Sequence, residues 1–358
     1  MSSLGTHDRV LVRLPSWLGD LVQAEPSLRA LSAHLSTPPS LAGPAALLPL
    51  FDGLFPGAPR IPHRVRGAEQ RTEWSGHDVA LLFPGSFRSA WTAWRAGIPR
   101  RIGWSRDGRA ALLTDRLTPP LERGATPLGL GRPGRGRRYL PRSFATSCVE
   151  LLGLLGVSVA DTRPRLPVAD IPRARVLERL AALGLAESDD YLLVNTGARP
   201  GSAKAYPAER WALLIDLLAD ALDLPLVLVC GPGEEATLKQ VQSRATRGRV
   251  LPFVDPVAGM GELLALCAGA RVFLTADSGP RHVALAVGTP VVCVAGPTDP
   301  RHAADHLEDL RLVRREVACG PCHREVCPLV GPEHHACMLA IEPAELVDRT
   351  IELALVTG

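Results

Sequence analysis

The chain has 358 residues, too many for one ordinary domain and suited to two of average size. Its formal net charge is only +3, which gives no reason to expect a nucleic-acid partner. No apolar run reaches the roughly 18 residues of a membrane-spanning helix, and Met1–Arg9 lacks the apolar core of a signal peptide. We therefore expect a cytoplasmic protein with two hydrophobic cores.

Continuous apolar runs, each followed by a turn-rich loop, recur along the whole chain. Leucines at helical spacing follow the first run, and the third leads through a Gly/Pro-rich loop to a helix beginning at Ala208. Apolar strands alternating with amphipathic helices predict an α/β fold of doubly wound parallel sheets, covered by helices on both faces. The predicted strands are Arg9–Leu14, Asp78–Phe83, Tyr191–Asn195, Leu226–Cys230, Arg271–Thr275 and Val291–Ala295.

A proline-rich break between Val159 and Arg175 interrupts both patterns and predicts a domain boundary. We expect an N-terminal domain over residues 1–165 and a C-terminal domain over 166–342. A last helix, within 343–358, could pack back on the first domain. The Gly/Arg-rich run 123–142 is either a basic collar for phosphates or a loop enlarged by compositional drift.

The loop Asp277–His282 gives the strongest local signal of a binding site. Ligands of open α/β sheets bind beyond the carboxyl ends of the strands, where this loop is expected to lie. Ser278 can cap a helix, Gly279 allows close approach of a ligand, and the helix amides attract an anion. His282 can donate to a phosphate oxygen. The alternative is that Asp277 and Ser278 merely cap the helix.

Two other loops carry candidate functional groups. The long loop Asn195–Trp211 is rich in glycine and contains Lys204. The chain has only one other lysine, Lys239. Flexible backbone and a point charge suit a diphosphate, although the spacing is not that of a P-loop and a solvated loop is the alternative. In the loop Pro15–Asp20, Asp20 either caps the following helix or acts as a general base.

The eight cysteines fall into two groups. Cys148, Cys230, Cys267 and Cys293 are scattered in apolar contexts and are expected to be buried. A second group is clustered, with His323, His334 and His335 among its members. Its spacing fits a structural zinc site, while free thiols and a disulfide or redox role remain open. The clustered cysteines are Cys319, Cys322, Cys327 and Cys337.

Taken together and in this order, the segments resemble the ADP-heptose:lipopolysaccharide heptosyltransferases of glycosyltransferase family 9, most closely the heptosyltransferase II branch. The resemblance covers nearly the whole chain, and the first and third segments favour that branch. The matching segments are Val10–Asp20, Phe83–Ala90, Ala96–Trp104, Leu112–Asp115, the stretch through Lys204 and Trp211, Asp277–His282 and Gly296–Pro300.

This resemblance implies a GT-B architecture of two Rossmann-like domains that face each other across a cleft. The N-terminal domain would bind the acceptor, a lipopolysaccharide inner core at the cytoplasmic face of the inner membrane. The C-terminal domain would bind ADP-heptose. The resemblance also implies an inverting transfer that requires no cofactor and no catalytic metal. The sequence has no Asp-x-Asp motif near a strand end, which agrees with a transfer without a metal. The enzyme would be cytoplasmic or peripheral on the inner membrane.

The resemblance also assigns roles to single residues. Asp20 would be the general base, and Lys204 would neutralise charge on the leaving ADP. One of Glu234 and Glu235 would contact the adenosine ribose. The other donor-side residues would be Thr196, Gly197, Asp277, Ser278, Gly279 and His282, and the acceptor-side residues Ser16, Trp17, Gly19 and Ser86.

Three alternative functions differ from this one in the acceptor, in catalysis or in the cofactor. The acceptor could instead be the first core position, another glycan or a protein. A non-catalytic nucleotide-sugar-binding protein would need a damaged site, yet Asp20 and Lys204 are both present. A Rossmann dehydrogenase is excluded because Pro15–Gly19 does not supply a Gly-x-Gly-x-x-Gly turn.

Overall fold

The computed structural model describes residues 3–63, 71–121, 139–197, 199, 201–303, 305–306 and 308–356. The chain divides into two compact units. The first comprises Met1–Pro164 and the short segment Pro300–Asp305, and the second comprises Arg165–Asp299 and His306–Gly358. Most of the Gly/Arg-rich run, residues 123–138, lies outside the described residues.

The first unit is built on one parallel sheet. Its described strands are β1 (Val10–Arg13), β2 (Ser40–Pro44), β3 (Arg60–His63), β4 (Val79–Leu82), β5 (Arg100–Trp104) and β6 (Asp115–Leu117). They are arranged in the order β3-β2-β1-β4-β5-β6. Its helices are α1 (Leu18–Gln23), α2 (Glu25–His34), α3 (Arg71–Trp74), α4 (Phe87–Arg95) and α5 (Phe144–Gly153).

The second unit contains a parallel sheet of the same kind. Its described strands are β7 (Leu192–Asn195), β8 (Leu226–Val229), β9 (Val250–Pro252), β10 (Val272–Ala276), β11 (Val291–Ala295) and β12 (Leu310–Arg314). Their order is β12-β11-β10-β7-β8-β9. Its helices are α6 (Asp170–Ala182), α7 (Ala208–Ala221), α8 (Glu235–Arg244), α9 (Met260–Gly269), α10 (Gly279–Ala286), α11 (Ala336–Leu339) and α12 (Pro343–Val356).

Both sheets have the strand order of a doubly wound Rossmann fold. In each, the first strand of the unit neighbours the fourth, so β1 pairs with β4 and β7 pairs with β10. The winding direction reverses between these pairs, and the loops that leave them diverge to opposite faces of the sheet. Such switch points are where open α/β sheets bind ligands. The predicted fold class is confirmed.

The central strands explain why the sequence folds in this way. Every residue of β1, β4, β7, β10 and β11 is buried, because helices cover both faces of each sheet. Valine and leucine dominate these strands, and burying each such side chain contributes roughly 1.5–3 kcal/mol. The strands therefore fix the sheet, and the polar loops at their carboxyl ends are left to bind ligands.

The C-terminal helix belongs to the second unit. There, α12 packs against α7 and the strands β10, β11 and β12. Leu346 and Leu353 recur at helical spacing and are buried in the core of the second unit. The Arg271 guanidinium donates to the Ala354 carbonyl at 3.0 and 2.8 Å. Within the described part of the chain, no helix combines the length and apolar character that a membrane crossing requires.

Candidate active site

Two neighbouring loops at the carboxyl edge of the second sheet carry five of the residues predicted to bind the donor. They leave β7 and β10, the two strands at the switch point. The Asn195 side chain links the ends of these strands. Its Nδ2 donates to Thr275 Oγ1 at 3.2 Å, and its Oδ1 accepts from the backbone amide of Gly197 at 3.2 Å. The residues brought together are Thr196 and Gly197 after β7, and Asp277, Ser278 and Gly279 after β10.

Lys204 joins these two loops. Its ammonium donates to the Asp277 carbonyl at 2.9 Å and lies 3.9 Å from Asp277 Oδ2. The Lys204 side chain is 37% exposed, so the charge is held in place and still reaches solvent. The Lys204 amide donates to Ser202 Oγ at 3.2 Å, which shapes the turn before it. The predicted cation therefore lies at the carboxyl edge of the sheet, where open α/β sheets generally bind ligands.

A buried ion pair supports the Asp277 loop. Arg281 is only 3% exposed, and its Nε lies 3.1 Å from Asp277 Oδ1. Burial alone would raise the pKa of Asp277, but Arg281 and Lys204 outweigh it and lower that pKa. Asp277 is therefore a carboxylate that orients two cations. Arg281 was not predicted to have a role, although its spacing of four residues from Asp277 at a helix start is a usable signal.

His282 is held as a neutral imidazole. Burial and the adjacent Arg281 cation lower its pKa, and they outweigh the opposing effect of Asp277. Arg281 Nε donates to His282 Nε2 at 3.2 Å, so this nitrogen is an acceptor. The ring proton then lies on Nδ1, which makes Nδ1 the donor atom of the ring.

Two buried hydroxyls at this edge lack partners. Among the described residues, neither Thr196 Oγ1 nor Ser278 Oγ has a hydrogen-bond partner. Ser278 occupies the N-cap position of α10 but makes no capping hydrogen bond, contrary to its expected capping role. Buried polar atoms are normally satisfied, so these two hydroxyls are suited to a ligand that supplies acceptor atoms.

The N-terminus of α10 offers fewer free backbone amides for an anion than the sequence suggested. Pro280 lacks an N–H, and the Arg281 amide donates to the Ser278 carbonyl at 3.3 Å. Fewer helix amides are thus available for an anion than a regular first turn provides. The anion-binding capacity of this edge therefore rests mainly on side chains.

The two glutamates after β8 differ in their surroundings. Glu234 is half-buried and accepts from the Gly231 amide at 2.9 Å, and burial raises its pKa. Its carboxylate lies so close to Gly197 that a β-carbon at that position would clash with it. Glu235 instead accepts from the Gly233 amide at 3.2 Å and begins α8. Only Glu234 reaches the loop that carries Thr196.

In the first unit, three of the residues predicted to lie on the acceptor side follow β1 at its switch point. Ser16 and Trp17 precede α1, Gly19 lies in its first turn, and Trp17 is 68% exposed. Asp20 lies in the first turn of α1, whereas Trp17 occupies the N-cap position, so Asp20 is not the capping residue. Burial raises the pKa of Cys148, and the Asp20 carboxylate raises it further, which places Asp20 beside α5.

Ser86 follows β4, the other strand at this switch point, and its hydroxyl caps α4 by accepting from the Ser89 amide at 3.4 Å. A buried arginine that sequence reasoning missed holds this loop. Arg109 donates to the Trp104 carbonyl at 2.9 Å, to Ser89 Oγ at 3.0 Å and to the Ser86 carbonyl at 3.2 Å. Burial lowers its pKa to about 10. Arg109 lies in an arginine-rich surface-like run, so the sequence offered no signal for it.

Comparison with known proteins shows the family to which the chain belongs. Residues 141–331, more than half of the chain, match the model of glycosyltransferase family 9 (heptosyltransferase). The chain belongs to glycosyltransferase family 9. Lipopolysaccharide heptosyltransferase 2 of Escherichia coli K12 is 26% identical over 322 residues, which cover 86% of this chain and 88% of that protein.

Two solved structures share the fold of this family 9 glycosyltransferase. The structure of E. coli ADP-heptose lps heptosyltransferase II has a TM-score of 0.71 at 22% identity, covering 97% of this chain and 99% of that one. A family 9 glycosyl transferase from Veillonella parvula has a TM-score of 0.74 at 19% identity, covering 99% of each chain. These matches confirm the predicted GT-B fold.

The family 9 glycosyltransferase also has a cysteine cluster after β12. Cys148, Cys230, Cys267 and Cys293 are buried, as predicted. The clustered cysteines Cys319, Cys322, Cys327 and Cys337 line one small cavity together with His335. The possible ligand atoms of Cys327, His334 and His335 lie within 4.8 Å of one another. Both arrangements offer the sulfur and imidazole ligands that zinc prefers.

Proposed function

We propose that this glycosyltransferase moves L-glycero-D-manno-heptose from ADP-heptose to the heptosyl-Kdo2-lipid A inner core of lipopolysaccharide. Transfer inverts the anomeric carbon and uses no catalytic metal. The main support is the side-chain cluster at the second switch point, where the Lys204 cation lies beside the Asp277 loop. Two buried, unpartnered hydroxyls, Thr196 Oγ1 and Ser278 Oγ, belong to the same two loops among the described residues.

On the donor side, these groups fit a nucleoside diphosphate. Lys204 pairs with a phosphate oxygen, and the Thr196 and Ser278 hydroxyls donate to others. The neutral His282 donates from Nδ1, which adds a hydrogen bond without adding charge. Gly279 leaves room for the diphosphate to approach the backbone. Charge that grows on the ADP leaving group is stabilised by Lys204, so protein cations serve where a divalent ion would otherwise be needed.

On the acceptor side, Asp20 acts as the general base. As the acceptor hydroxyl oxygen bonds to the anomeric carbon, its proton passes to the Asp20 carboxylate. The bond from that carbon to the ADP oxygen breaks on the opposite face, so configuration is inverted and ADP leaves with the electron pair. Ser16, Trp17, Gly19 and Ser86 shape the acceptor side around this step.

The choice of acceptor follows the relative named lipopolysaccharide heptosyltransferase 2, which aligns over most of both chains. It is tested by incubating the protein with ADP-heptose and either Kdo2-lipid A or its mono-heptosylated form, and weighing the products. One added heptose is expected on the mono-heptosylated acceptor alone. Transfer to Kdo2-lipid A alone would move the activity to the first core position. If the protein binds ADP-heptose but transfers heptose to neither acceptor, the remaining alternatives are a different acceptor and a protein without catalytic activity.

Glu234, rather than Glu235, is proposed to bind the adenosine ribose. Glu234→Gln should weaken ADP binding by about tenfold, because a charged acceptor of ribose hydroxyls is replaced by a neutral amide. Glu235→Gln is the matched control and should change ADP affinity little, since its carboxylate serves its own helix start. Calorimetric titration with ADP measures both. Equal losses in the two variants would contradict the assignment.

An exposed aromatic face on α4 is proposed to meet the lipid surface that carries the acceptor. Phe87, Trp91 and Trp94 are 48, 43 and 46% exposed, and the two tryptophan rings lie 4.9 Å apart. Arg95 lies 6.0 Å from the Trp91 ring centre. Aromatic rings beside arginine suit the interface of an anionic bilayer.

The double variant Trp91→Ser/Trp94→Ser should therefore bind anionic phospholipid vesicles at least about tenfold more weakly. Turnover on a water-dispersed acceptor should stay close to that of the unaltered chain. Leu213→Ser, at a residue of α7 that is 50% exposed, is the matched control. Sedimentation with vesicles is the measurement. Undiminished vesicle binding by the double variant would rule out this face.

A further inference from the structure

A polar groove runs along the outer edge of the second sheet. Its volume is ≈ 360 Å³, and it is lined by all five residues of β12 together with Glu345 and Arg349 of α12. Strand β12 is the last in the order of the described strands, so none of them covers its outer side. None of the lining residues takes part in the proposed transfer.

The backbone of β12 directs hydrogen-bonding groups into this groove. The Val291 amide donates to the Asp309 carbonyl at 2.8 Å, and Val291 lies opposite Leu310 in the parallel register. Successive residues of such a strand turn their N–H and C=O groups to opposite sides. Because Asp309 faces β11, the even-numbered residues of β12 turn theirs outward. The amides of Leu312 and Arg314 are therefore donors at the wall of the groove.

Arg314 adds an unsatisfied cation to the groove. Its Nε atom is buried and has no hydrogen-bond partner among the described residues. Within the same part of the chain, its guanidinium pairs with no carboxylate. Buried donors are normally satisfied, and a guanidinium can donate five hydrogen bonds. Arg314 is therefore suited to a ligand that supplies negatively charged acceptor atoms.

The other arginines of the groove are held by α12. Arg311 Nε donates to Glu352 Oε1 at 2.9 Å, and Arg349 Nη1 donates to Glu352 Oε2 at 3.1 Å. One carboxylate thus orients two guanidinium groups and neutralises only one of their charges. The lining carboxylate Glu345 accepts from Arg315 Nη1 at 3.2 Å. With Arg314 included, four arginines face these two glutamates, so the groove keeps an excess of positive charge.

Arginines on an edge strand can also serve another purpose, because charge at a sheet edge discourages pairing with other chains. A charge that guards an edge extends into water. Here Glu352 holds the Arg311 side chain, and Arg314 buries its Nε atom. Neither side chain is arranged to extend across the strand edge. The arrangement therefore fits ligand binding better than protection of the edge.

We propose that this groove binds a phosphate group. The Arg314 guanidinium and the outward amides of β12 donate to its oxygens, and Arg349, whose side chain is 50% exposed, adds a second positive charge. Guanidinium and backbone N–H groups are frequent partners of phosphate oxygens. No described residue that lines the groove is aromatic, so nothing there stacks on a nucleotide base. The phosphate is that of a free ion or of a lipid headgroup.

Titration with inorganic phosphate tests a free ion as the source. The full chain is first saturated with ADP, so that the loops after β7 and β10 do not take up the added phosphate. Arg314→Gln should weaken phosphate binding at least about tenfold, because it removes both the charge and the buried donor. Arg175→Gln, at an exposed residue of α6, is the matched control and should leave the affinity unchanged.

A second variant protects this test against a folding defect. Arg349→Gln changes a half-exposed side chain and should weaken phosphate binding about threefold. Thermal unfolding of each variant is measured beside the titration. Phosphate affinity that is unchanged in both Arg314→Gln and Arg349→Gln would rule out a free ion as the ligand.

Vesicles test a lipid headgroup as the source. Sedimentation with phosphatidylcholine vesicles that contain phosphatidic acid compares the unaltered chain, Arg314→Gln and Arg175→Gln. Vesicle binding at least about tenfold weaker in Arg314→Gln alone identifies the headgroup phosphate. The aromatic face on α4 is unaltered in all three proteins, so it cannot cause the difference. If Arg314→Gln changes neither the titration nor the sedimentation, the groove is not a phosphate site.

These measurements are independent of the proposed transfer. Heptose transfer and ADP affinity should be the same in Arg314→Gln and in the unaltered chain, since Arg314 lies on the edge strand and not on the loops after β7 and β10. A chain that binds phosphate through Arg314 but does not bind ADP would contradict the proposed transfer and support the groove. Normal transfer with no effect of Arg314→Gln on either phosphate source would overturn the groove alone.

Discussion

Asp20→Asn is expected to abolish heptose transfer while ADP binding persists. Asparagine keeps the size of the side chain in the first turn of α1 but cannot accept the proton of the acceptor hydroxyl. Loss of a positioned general base slows turnover by about 10²–10⁴-fold. Turnover is measured as mass gain of the acceptor, and ADP affinity is measured by calorimetry. The expected pattern is a large fall in kcat without weaker nucleotide binding.

A matched variant keeps this result interpretable. Asp52→Asn removes a carboxylate from the same unit at a site that is 67% exposed and pairs only loosely with Arg60, at 3.6 Å. Its turnover should stay close to that of the unaltered chain. Asp20→Asn with near-normal turnover would remove Asp20 as the base. Loss of ADP binding in the same variant would point to a general disturbance of the fold instead.

The fold was predictable from the sequence because its central strands are buried on both faces. Runs such as Leu226–Val229 and Val291–Ala295 must be continuously apolar to lie in a covered parallel sheet, and such runs stand out. The predictions missed the six other described strands, β2, β3, β5, β6, β9 and β12. Strand β2, Ser40–Pro44, contains glycine and proline and has little intrinsic strand preference.

Strand β5 was missed for a different reason. It begins with Arg100 and Arg101, which look like surface residues in a sequence. In the structure, Arg100 pairs with Asp115 at 3.3 Å, and Arg101 donates to the carbonyls of Leu112 and Ile98 at 2.7 and 2.6 Å. The partners are distant in sequence or belong to the backbone, so no local pattern reveals that the charges are satisfied.

The candidate site was partly predictable for a topological reason. Polar loops after buried strands must meet at the carboxyl edge of a parallel sheet, which is why Lys204 and Asp277 were found together. Arg281 and Arg109 were missed because their importance comes from burial, which depends on tertiary packing. The same holds for the preference for Glu234 over Glu235, since neighbouring residues cannot be ranked without knowing which one approaches Gly197.

Lys204→Ala should weaken ADP-heptose binding and slow turnover, the latter by about 10²–10³-fold. The ammonium joins its own loop to the Asp277 loop, and in the proposed transfer negative charge grows there as ADP departs. The substitution removes one of the two cations beside the Asp277 carboxylate, and Arg281 remains paired with it. Lys204→Arg should recover only part of the activity, because a planar guanidinium cannot occupy the position of a compact ammonium.

The chain itself provides the control, because its other lysine, Lys239, is exposed on α8. Lys239→Ala should leave kinetics and ADP affinity unchanged. A lysine-selective reagent should modify both side chains in the free protein, and bound ADP should protect Lys204 while Lys239 reacts at its former rate. Equal protection of both lysines, or normal kinetics in Lys204→Ala, would show that the leaving diphosphate is stabilised by other groups. A selective loss at Lys204 would instead identify the cation that replaces a metal ion in this transfer.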